Sequence, residues 1–303
     1  MPSSLHSPKR LHVTGGRGRL ASLVADHFCA PSYVTTLYSR TPASGLLPLD
    51  QLIAAPDWTS NDVVLHLAWS TLPATSEKNP STETQHDLPL LERLLTTLAR
   101  QPNDRRPHFI FFSSGGTVYG DAQERASCED DICRPIGSYG RSKLVAEQLI
   151  LDAAKSHELP TTILRISNPY GYPVPGKRPQ GIIPHAIRAA VDQTTLTLWG
   201  DGSARKDFLY YTDFLAALQL IVDQRLQGTF NIAAGESHSI HDVITLVEEH
   251  TKRAVKTTTQ PAPSWDVQDS RLDVTRFKTA TGWSPQVSLS EGIRRSVAGY
   301  LDD

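Results

Sequence analysis

Residues 13–21, VTGGRGRLA, form the stretch that decides the fold. Three glycines, Gly15, Gly16 and Gly18, follow an apolar run of strand length (LHVTG, 11–15) and precede a helical pattern (RLASLVADHF, 19–28). Glycines at such a turn let the backbone approach a pyrophosphate closely, and the N-terminus of the helix offers free N–H groups. This context predicts a dinucleotide-binding turn; the alternative is a tight turn that binds no ligand.

Apolar runs and helical patterns alternate through the first two-thirds of the chain. Further strands are predicted at YVTTLYS (33–39), DVVLHLAW (62–69), HFIFFSS (108–114) and TTILRIS (161–167), and helices at LPLLERLLTTLAR (88–100) and SYGRSKLVAEQLILDAAKSH (138–157). Continuous Val, Ile, Leu and Phe runs are typical of strands buried on both faces. The alternation predicts an α/β fold, a Rossmann-type doubly wound parallel sheet with a smaller C-terminal α/β substrate lobe.

The pattern changes after residue 168, where NPYGYPVPGKRPQG (168–181) is typical of a loop. We expect residues 1–167 to form an NAD(P)-binding Rossmann domain, to which a segment near 205–235 returns. Residues 168–204 and 236–303 are expected to form the substrate-binding lobe.

The composition argues against several classes of protein. The 303 residues are 39% hydrophobic and 20% charged, and the formal net charge is -2, so a nucleic-acid partner is not expected. A signal peptide is not expected, because the N-terminus MPSSLHSPKR has no apolar h-region. A membrane span is not expected either, because no apolar run approaches ~18 residues. Three cysteines without CxxC spacing favour a cytoplasmic location. The eleven histidines show no metal-binding motif, so no metal is expected.

The second predicted strand ends LYSR (37–40), without the acidic residue that holds the adenosine ribose of NAD. Ser39 and Arg40 favour the 2′-phosphate of NADP over NAD, and Arg17 and Arg19 add positive charge; the alternative for Arg40 is a surface cation. The residues predicted to contact the cofactor here are Gly15, Gly16, Arg17, Gly18, Arg19, Leu20, Ser39 and Arg40.

Tyr139 and Lys143 lie four residues apart at the start of a predicted helix, which places both on one face. A phenol ordinarily has a pKa near ~10, and a neighbouring ammonium lowers that pKa. Tyr139 is therefore predicted to act as a general base or acid near neutral pH, and Lys143 to bind the ribose of the nicotinamide.

At this point the chain resembles the extended short-chain dehydrogenases/reductases of the nucleotide-sugar epimerase/dehydratase family, most of all the UDP-glucose 4-epimerase type. The stretches that carry the resemblance are TGGRGRLA, DVVLHLAW, FFSSGGTVYG, SYGRSK, LRISNPYG, LWGDGSARKDFLYYTD, FNIAAG and LDVTRFKTATGWSP. They follow one another in the order of the family and span nearly the whole chain.

The resemblance implies roles for particular residues. Tyr139 and Lys143 match the catalytic pair, and both are implied to contact the cofactor. The end of the family's third strand, which passes beside the cofactor, is matched here by Leu67, Ala68 and Trp69. Asn168 matches an asparagine that contacts the nucleotide diphosphate of the substrate; the alternative is a loop-capping role. Helices around 88–100 and 143–155 are implied to form a homodimer interface.

The segment SSGGTVYG (113–120) departs from the family pattern. The usual catalytic Ser or Thr falls on Gly115, so the role passes to Ser114, to Thr117 or to no residue. Ser114, Gly115 and Gly116 are also predicted to lie against the substrate. Residues 115–117 contain no carboxylate, which argues against 4,6-dehydratase chemistry. Tyr119 is expected to be structural.

The diphosphate contacts depart as well. Lys206 stands where the family has Arg, with Arg205 beside it, and arginine and lysine are not equivalent at such a contact. Both are predicted to bind substrate, the alternative being solvated turn charges. Pro263 stands at a second arginine position, for which Arg271, or Lys177 and Arg178, are possible substitutes.

Together these features predict an NAD(P)-dependent nucleotide-sugar epimerase acting at C4 of a UDP-hexose. Because an acidic residue is absent after the second strand, an NADPH-dependent 4-keto-sugar reductase is the first alternative. A non-catalytic sensor of cofactor or sugar nucleotide is the second, and Gly115 and Pro263 motivate it.

Overall fold

A computed structural model describes residues 8–41, 43–54, 57–173 and 180–302. The chain divides into two compact units. Unit 1 comprises Met1–Ser113, Ser142–Leu164 and Ile221–Thr229, and unit 2 comprises Ser114–Arg141, Arg165–Leu220 and Phe230–Asp303. The predicted roles and boundaries of the two domains stay predictions.

The strands and helices follow in chain order. The strands are β1 Lys9–Thr14, β2 Tyr33–Ser39, β3 Leu47–Pro48, β4 Val63–His66, β5 His108–Ser114, β6 Thr161–Ile166, β7 Asn168–Tyr170, β8 Thr195–Trp199, β9 Arg205–Lys206, β10 Phe208–Tyr210, β11 Gly228–Ile232, β12 His238–Ser239 and β13 Lys256–Gln260. The α-helices are α1 Arg19–His27, α2 Leu49–Ala54, α3 Pro73–Lys78, α4 Leu88–Ala99, α5 Gly115–Val118, α6 Ser138–His157, α7 Ile182–Asp192, α8 Tyr211–Gln224, α9 Ile240–Thr251, α10 Thr275–Thr281 and α11 Leu289–Asp302.

A seven-stranded sheet in the order β11-β6-β5-β4-β1-β2-β3 organises the fold. The pairs β4–β5, β1–β4, β1–β2 and β2–β3 are parallel. Strands β4 and β6 are buried along their whole length. The apolar run of β4 predicts this, whereas β6 also buries Thr161, Thr162 and Arg165. The sheet confirms the predicted Rossmann-type α/β fold.

The core of unit 1 lies between the sheet and the apolar faces of α4 and α6. Leu91, Leu94 and Leu98 recur at helical spacing on α4 and are fully buried against strand residues such as Phe109 and Phe111. Each buried leucine of this kind contributes about 1.5–3 kcal/mol relative to an exposed one. This packing fixes α6, the helix that carries Lys143, against the sheet.

Unit 2 has its own core, built from α7, α9 and α11 around β8 and β10. Ile187, Val243, Val247 and Ile293 are buried in one cluster. Helix α9 begins at a capping box in which Ser239 Oγ accepts from the backbone N–H of Asp242 at 3.0 Å, and the Asp242 carboxylate accepts from the N–H of Ser239 at 2.8 Å. Unit 2 therefore has a hydrophobic core of its own, and α9 packs in it from a capped N-terminus.

Candidate active site

The glycine-rich turn of unit 1 has the geometry that a dinucleotide requires. Gly16 N–H donates to the Tyr38 carbonyl at 2.8 Å, and Gly18 N–H donates to the Gly15 carbonyl at 2.7 Å. Gly15 has φ +77°, and a Cβ there would lie 2.9 Å from Ala68 N, so only glycine fits. Helix α1 begins after Gly18 without a side-chain cap, which leaves its first amides for a bound phosphate. These residues fit a dinucleotide cofactor.

Thr14 joins this turn to the loop that follows β4. Its Oγ1 lies 2.9 Å from His66 Nδ1 and accepts a hydrogen bond from Ala68 N–H at 3.2 Å. Burial, with a smaller contribution from the positive charge of Lys143, lowers the pKa of His66 to about 3. His66 is therefore neutral at physiological pH, and Thr14, its partner, holds Ala68 beside Gly15. The predicted contact of this segment with the cofactor stays a prediction.

Lys143 lies in a buried, largely apolar environment of unit 1. Its Nζ donates to the Phe112 carbonyl at 2.8 Å and lies 3.9 Å from the centre of the Trp69 ring and 4.6 Å from that of Phe111. Burial lowers the pKa of Lys143 to about 7, and the carboxylates of Asp87, Glu147 and Glu83 oppose that lowering. Tyr139 lies one turn earlier on α6 and is half-buried.

Arg40, which directly follows β2, contacts Ser70 in the loop after β4 and the carboxylate of Asp87. Its Nη2 donates to Ser70 Oγ at 2.7 Å, and its Nη1 lies 4.0 Å from Asp87 Oδ1. Ser39 Oγ accepts from Thr41 N–H at 3.2 Å. The Arg40 side chain is 50% exposed, so it makes these two contacts at the surface.

Gly115, in unit 2, has no room for a side chain. A Cβ there would lie 2.5 Å from Leu272 Cδ1 and 2.8 Å from the Arg165 carbonyl oxygen. The carbonyl belongs to the backbone, so it yields less readily than a side chain. The absence of the family's hydroxyl at this position therefore has a local cause in the packing of Leu272 and β6.

Gly116 has room for a small side chain, which would be in ordinary van der Waals contact with polar groups of unit 2. A Cβ there would lie 3.8 Å from both Asn168 Nδ2 and Ser270 Oγ. Asn168 Nδ2 also donates to the Asp207 carbonyl at 2.8 Å, which fixes the amide. Ser270 is 3% exposed, and its Oγ has no hydrogen-bond partner among the described residues. Sequence reasoning missed Ser270, although it directly follows Asp269 in the WDVQDS segment.

The two candidate hydroxyls lie at the junction of β5 and α5. Thr117 Oγ1 donates to the Ser114 carbonyl at 3.4 Å, a long contact that leaves the hydroxyl free to rotate. The Thr117 carbonyl lies 2.7 Å from where a Cβ of Gly140 would be, so Thr117 packs against the residue that follows Tyr139. Tyr119 OH donates to Asn231 at 2.8 Å and accepts from Arg165 at 2.9 Å inside unit 2.

The predicted diphosphate cations are paired with carboxylates. Lys206 Nζ donates to Asp266 Oδ1 at 2.9 Å and also to the Val267 carbonyl. Arg205 Nε donates to Ser237 Oγ at 3.3 Å, and its Nη1 lies 4.0 Å from Asp242. Arg271 forms an ion pair with Asp269 at 3.1 Å. Lys177 and Arg178 lie outside the described residues.

No group of three or more His, Cys, Asp or Glu side chains among the described residues is placed to hold a metal ion. No helix in the part of the chain that the structure describes is long and apolar enough to cross a membrane.

A parallel sheet, a glycine-rich turn after its first strand and a tyrosine–lysine pair on one helix define an extended short-chain dehydrogenase/reductase. The chain belongs to the NAD dependent epimerase/dehydratase family, whose model matches residues 11–233. It is therefore a member of a family of nicotinamide-dependent enzymes that epimerise, dehydrate or reduce nucleotide sugars, as the resemblance implied.

Individual relatives agree with this membership. The dTDP-4-dehydro-6-deoxyglucose reductase of Escherichia coli is 32% identical over 241 residues, 77% of this chain and 73% of that protein. The structure of UDP-glucose 4-epimerase with UDP-glucose from Thermotoga maritima is 25% identical, with a TM-score of 0.85, covering 97% of this chain and 99% of that one. MoeE5 in complex with UDP-glucose and NAD is 26% identical, with the same TM-score and coverage.

Proposed function

We propose that this protein is an NAD(P)-dependent nucleotide-sugar 4-epimerase that acts on a UDP-hexose. The observation that carries the proposal is the buried Lys143 ammonium, held on the Phe112 carbonyl one helical turn after Tyr139. Similarity to a UDP-glucose 4-epimerase along 97% of the chain supports the choice of reaction and of substrate.

Unit 1 is proposed to hold the cofactor. A bound nicotinamide dinucleotide supplies the acceptor and then the donor of the C4 hydride. Gly15 and Gly16 with the first amides of α1 bind the pyrophosphate, because the turn has no side chains to obstruct it. Ala68 and Trp69 lie along the next strand end, and Lys143 provides the ammonium for a ribose hydroxyl.

Tyr139 is proposed to move the proton. Its phenolate takes the proton of the C4 hydroxyl while the C4–H bond breaks, which leaves a 4-keto sugar. After the sugar has rotated, the same phenol returns the proton to the oxygen as hydride reaches the opposite face of C4. The Lys143 ammonium favours the phenolate by its positive charge. The hydride and the proton both return to the sugar, so the cofactor ends each turnover in its starting oxidation state.

Unit 2 is proposed to hold the nucleotide sugar. Support comes from two polar groups close to Gly116: Asn168 Nδ2 and the unpartnered Ser270 Oγ each lie 3.8 Å from where its Cβ would be. We propose that these groups bind substrate oxygens, and that Thr117 supplies the hydroxyl that Gly115 lacks. Arg205, half-exposed, is the proposed diphosphate contact, whereas Lys206 orients Asp266.

A second candidate function is an NADPH-dependent 4-keto-sugar reductase. Arg40, rather than a carboxylate, follows Ser39 at the end of β2, and this favours NADP. The 32% identity to a dTDP-4-dehydro-6-deoxyglucose reductase supports the same alternative. Net reduction consumes NADPH, whereas epimerisation recycles the bound cofactor.

Cofactor content and turnover distinguish the two functions. The purified protein is denatured, the released dinucleotide is identified by mass spectrometry, and the native protein is incubated with UDP-glucose without added cofactor. Bound NAD with formation of UDP-galactose supports the epimerase. Stoichiometric loss of NADPH absorbance with a nucleotide 4-keto sugar would replace it with the reductase.

We also propose that two copies pair along α4 and α6. A cavity of 490 Å³ between these helices is lined by Glu92 and Leu95 of α4, by Arg100 directly after α4, and by Leu149 and Asp152 of α6. Its mixed charges suit a two-fold contact in which acidic residues of one copy meet basic residues of the other. Light scattering of the protein and of Leu149→Arg tests this: the proposal predicts about twice 33.3 kDa for the first and 33.3 kDa for the second.

The three cysteines, Cys29, Cys128 and Cys133, are free, and we propose a cytoplasmic location on that ground. Fractionation of cells, with the protein detected by antibody, tests the location.

A further inference from the structure

Two side chains of α6 bind two consecutive residues of β5 within unit 1. Lys143 Nζ donates to the Phe112 carbonyl at 2.8 Å. Glu147 Oε1 accepts from the hydroxyl of Ser113, the next residue of the strand. Lys143 and Glu147 lie four residues apart, so both project from the same face of the helix. The ammonium and the carboxylate are therefore held close to each other by one helix and one strand.

Glu147 carries its charge in a place where charge is costly. The side chain is 1% exposed, so water has little access to the carboxylate. The bond from Ser113 replaces part of the lost hydration. The carboxylate of Glu147 also opposes the lowering of the Lys143 pKa that burial causes, so the two charges act on each other. A neutral side chain of the same size would fill the space without the cost, and the charge therefore points to a role beyond packing.

Two further carboxylates, those of Glu83 and Asp87, act on Lys143 from the segment directly before α4. Their oxygens accept hydrogen bonds from residues of the loop after β4. Lys143 also acts on the buried His66 of β4, which is neutral because its pKa is lowered to about 3. Glu147 differs from these groups, because the strand that fixes its carboxylate is the strand that binds Lys143.

We propose that Glu147 and Ser113 are positioning residues of the reaction. Ser113 fixes the Glu147 carboxylate. That carboxylate keeps Lys143 in its ammonium form, bound to the Phe112 carbonyl. An amine without the extra proton would lack the positive charge that favours the Tyr139 phenolate. The inference rests on the proposed function, in which Lys143 binds the ribose and Tyr139 moves the proton, and it adds the pair of residues that keeps the lysine charged.

Glu147→Gln removes the charge and keeps the size of the side chain. The amide oxygen can still accept from Ser113, so the packing changes little. Without the carboxylate, Lys143 is expected to lose its proton at a pH about one unit lower. Because the rate follows the charged fraction of Lys143, kcat for UDP-glucose at pH 7.5 should fall about five- to tenfold. At pH 5.5 Lys143 is charged in both proteins, so their rates should differ by less than about twofold.

Glu147→Asp separates the charge from the fit of the side chain. It retains the carboxylate on a chain one methylene shorter, which disturbs the packing and the bond from Ser113. We expect kcat at pH 7.5 to fall by less than about threefold, and by less than in Glu147→Gln. Glu158→Gln is the matched control, the same substitution at an exposed acid of unit 1 that accepts from Asn103 at 3.0 Å, and it should leave both rates unchanged.

Ser113→Ala tests the second residue of the pair, because it retains the Glu147 carboxylate and removes the bond that fixes it. We expect a loss of kcat with the same pH dependence and of smaller size, about two- to fourfold at pH 7.5. NMR titration of ¹³C at lysine Cε in the cofactor-bound protein measures the protonation of Lys143 in each variant. Circular dichroism verifies that each variant is folded.

The outcomes separate this inference from the proposed function. An equal loss of kcat at pH 5.5 and 7.5 in Glu147→Gln, or an unchanged titration of Lys143, would overturn the inference and give Glu147 a structural role. A greater loss at pH 7.5 in Glu147→Asp than in Glu147→Gln would overturn it too. Each of these results leaves the proposed function intact, because the unmodified protein still forms UDP-galactose. If the unmodified protein forms none, the proposed function fails, and the titration of Lys143 still tests the inference.

Discussion

The Nζ atom of Lys143 lies 3.9 Å from the centre of the Trp69 indole ring, inside a core that excludes solvent. The ring face attracts the ammonium, and the same ring keeps water away from it. These two effects oppose each other, because attraction to the ring favours the charged lysine and loss of water disfavours it. Burial lowers the pKa of Lys143 to about 7 against the opposing charges of Asp87, Glu147 and Glu83.

Replacement of Trp69 by alanine is expected to raise the pKa of Lys143. Water then enters beside Nζ, and the pKa moves from about 7 toward its ordinary value near ~10. Trp69→Phe keeps a ring over the ammonium and is expected to shift the pKa by less than about one pH unit. NMR titration of protein with ¹³C at lysine Cε measures this, the Lys143 signal being assigned by its absence from Lys143→Met. An unchanged titration in Trp69→Ala would contradict the account.

Lys143 also makes folding stability depend on pH. The folded protein holds the pKa of Lys143 near 7, below its unfolded value, so the unfolded chain binds more protons above pH 7. The contribution of Lys143 to the free energy of unfolding therefore rises with pH from about 7 to about 10, by on the order of 3 kcal/mol. Urea unfolding at pH 6.5 and 9.5 is compared for the unmodified protein and Lys143→Met. The variant is expected to lose this rise, and an equal rise in both proteins would refute it.

Two adjacent glycines are expected to respond differently to alanine. Gly115→Ala forces a Cβ against the Arg165 carbonyl and is expected to cost about 1–3 kcal/mol of stability. Gly116→Ala meets only contacts at 3.8 Å and is expected to change stability by less than about 1 kcal/mol. The second variant instead fills space beside Asn168 and Ser270, so it should raise the KM for substrate. Chemical denaturation and steady-state kinetics measure the pair; equal stability losses would count against this packing.

The hydroxyl of Thr117 is expected to serve the reaction. Thr117→Ala should lower kcat by about 10²-fold, because the substrate oxygen loses the hydrogen bond that the threonine hydroxyl donates to it. Thr117→Ser keeps the hydroxyl and should restore most of the rate, and Ser114→Ala is the comparison at the other candidate position. A larger loss in Ser114→Ala than in Thr117→Ala would assign the role to Ser114.

Much of unit 1 could be predicted because its signals are local. The runs YVTTLYS and HFIFFSS match β2 and β5, and the helical pattern at 138–157 matches α6. Strands β3 and β11 were not predicted as strands. Strand β3 has only two residues, Leu47 and Pro48, and β11 joins the sheet at its edge through pairing with β6, which periodicity does not reveal.

Less of the candidate site could be predicted from the sequence, because its residues contact partners that are distant in the chain. Gly115 lacks a side chain because of Leu272 and Arg165, and Arg40 takes its partners from the loop after β4 and from Asp87. The sequence showed the departure at Gly115 and the charge at Arg40. It did not show which groups pack against Gly115 or which groups bind Arg40, since tertiary packing decides both.

Transfer of deuterium at C4 tests the proposed reaction most directly. The purified protein is incubated with [4-²H]UDP-glucose without added cofactor, and the product is analysed by NMR and mass spectrometry, with Tyr139→Phe in parallel. We predict UDP-galactose that retains deuterium at C4, and a loss of rate of at least about 10²-fold in Tyr139→Phe with dinucleotide binding preserved. Failure of the unmodified, cofactor-bound protein to form UDP-galactose, or loss of the deuterium to solvent, would contradict the proposed epimerase.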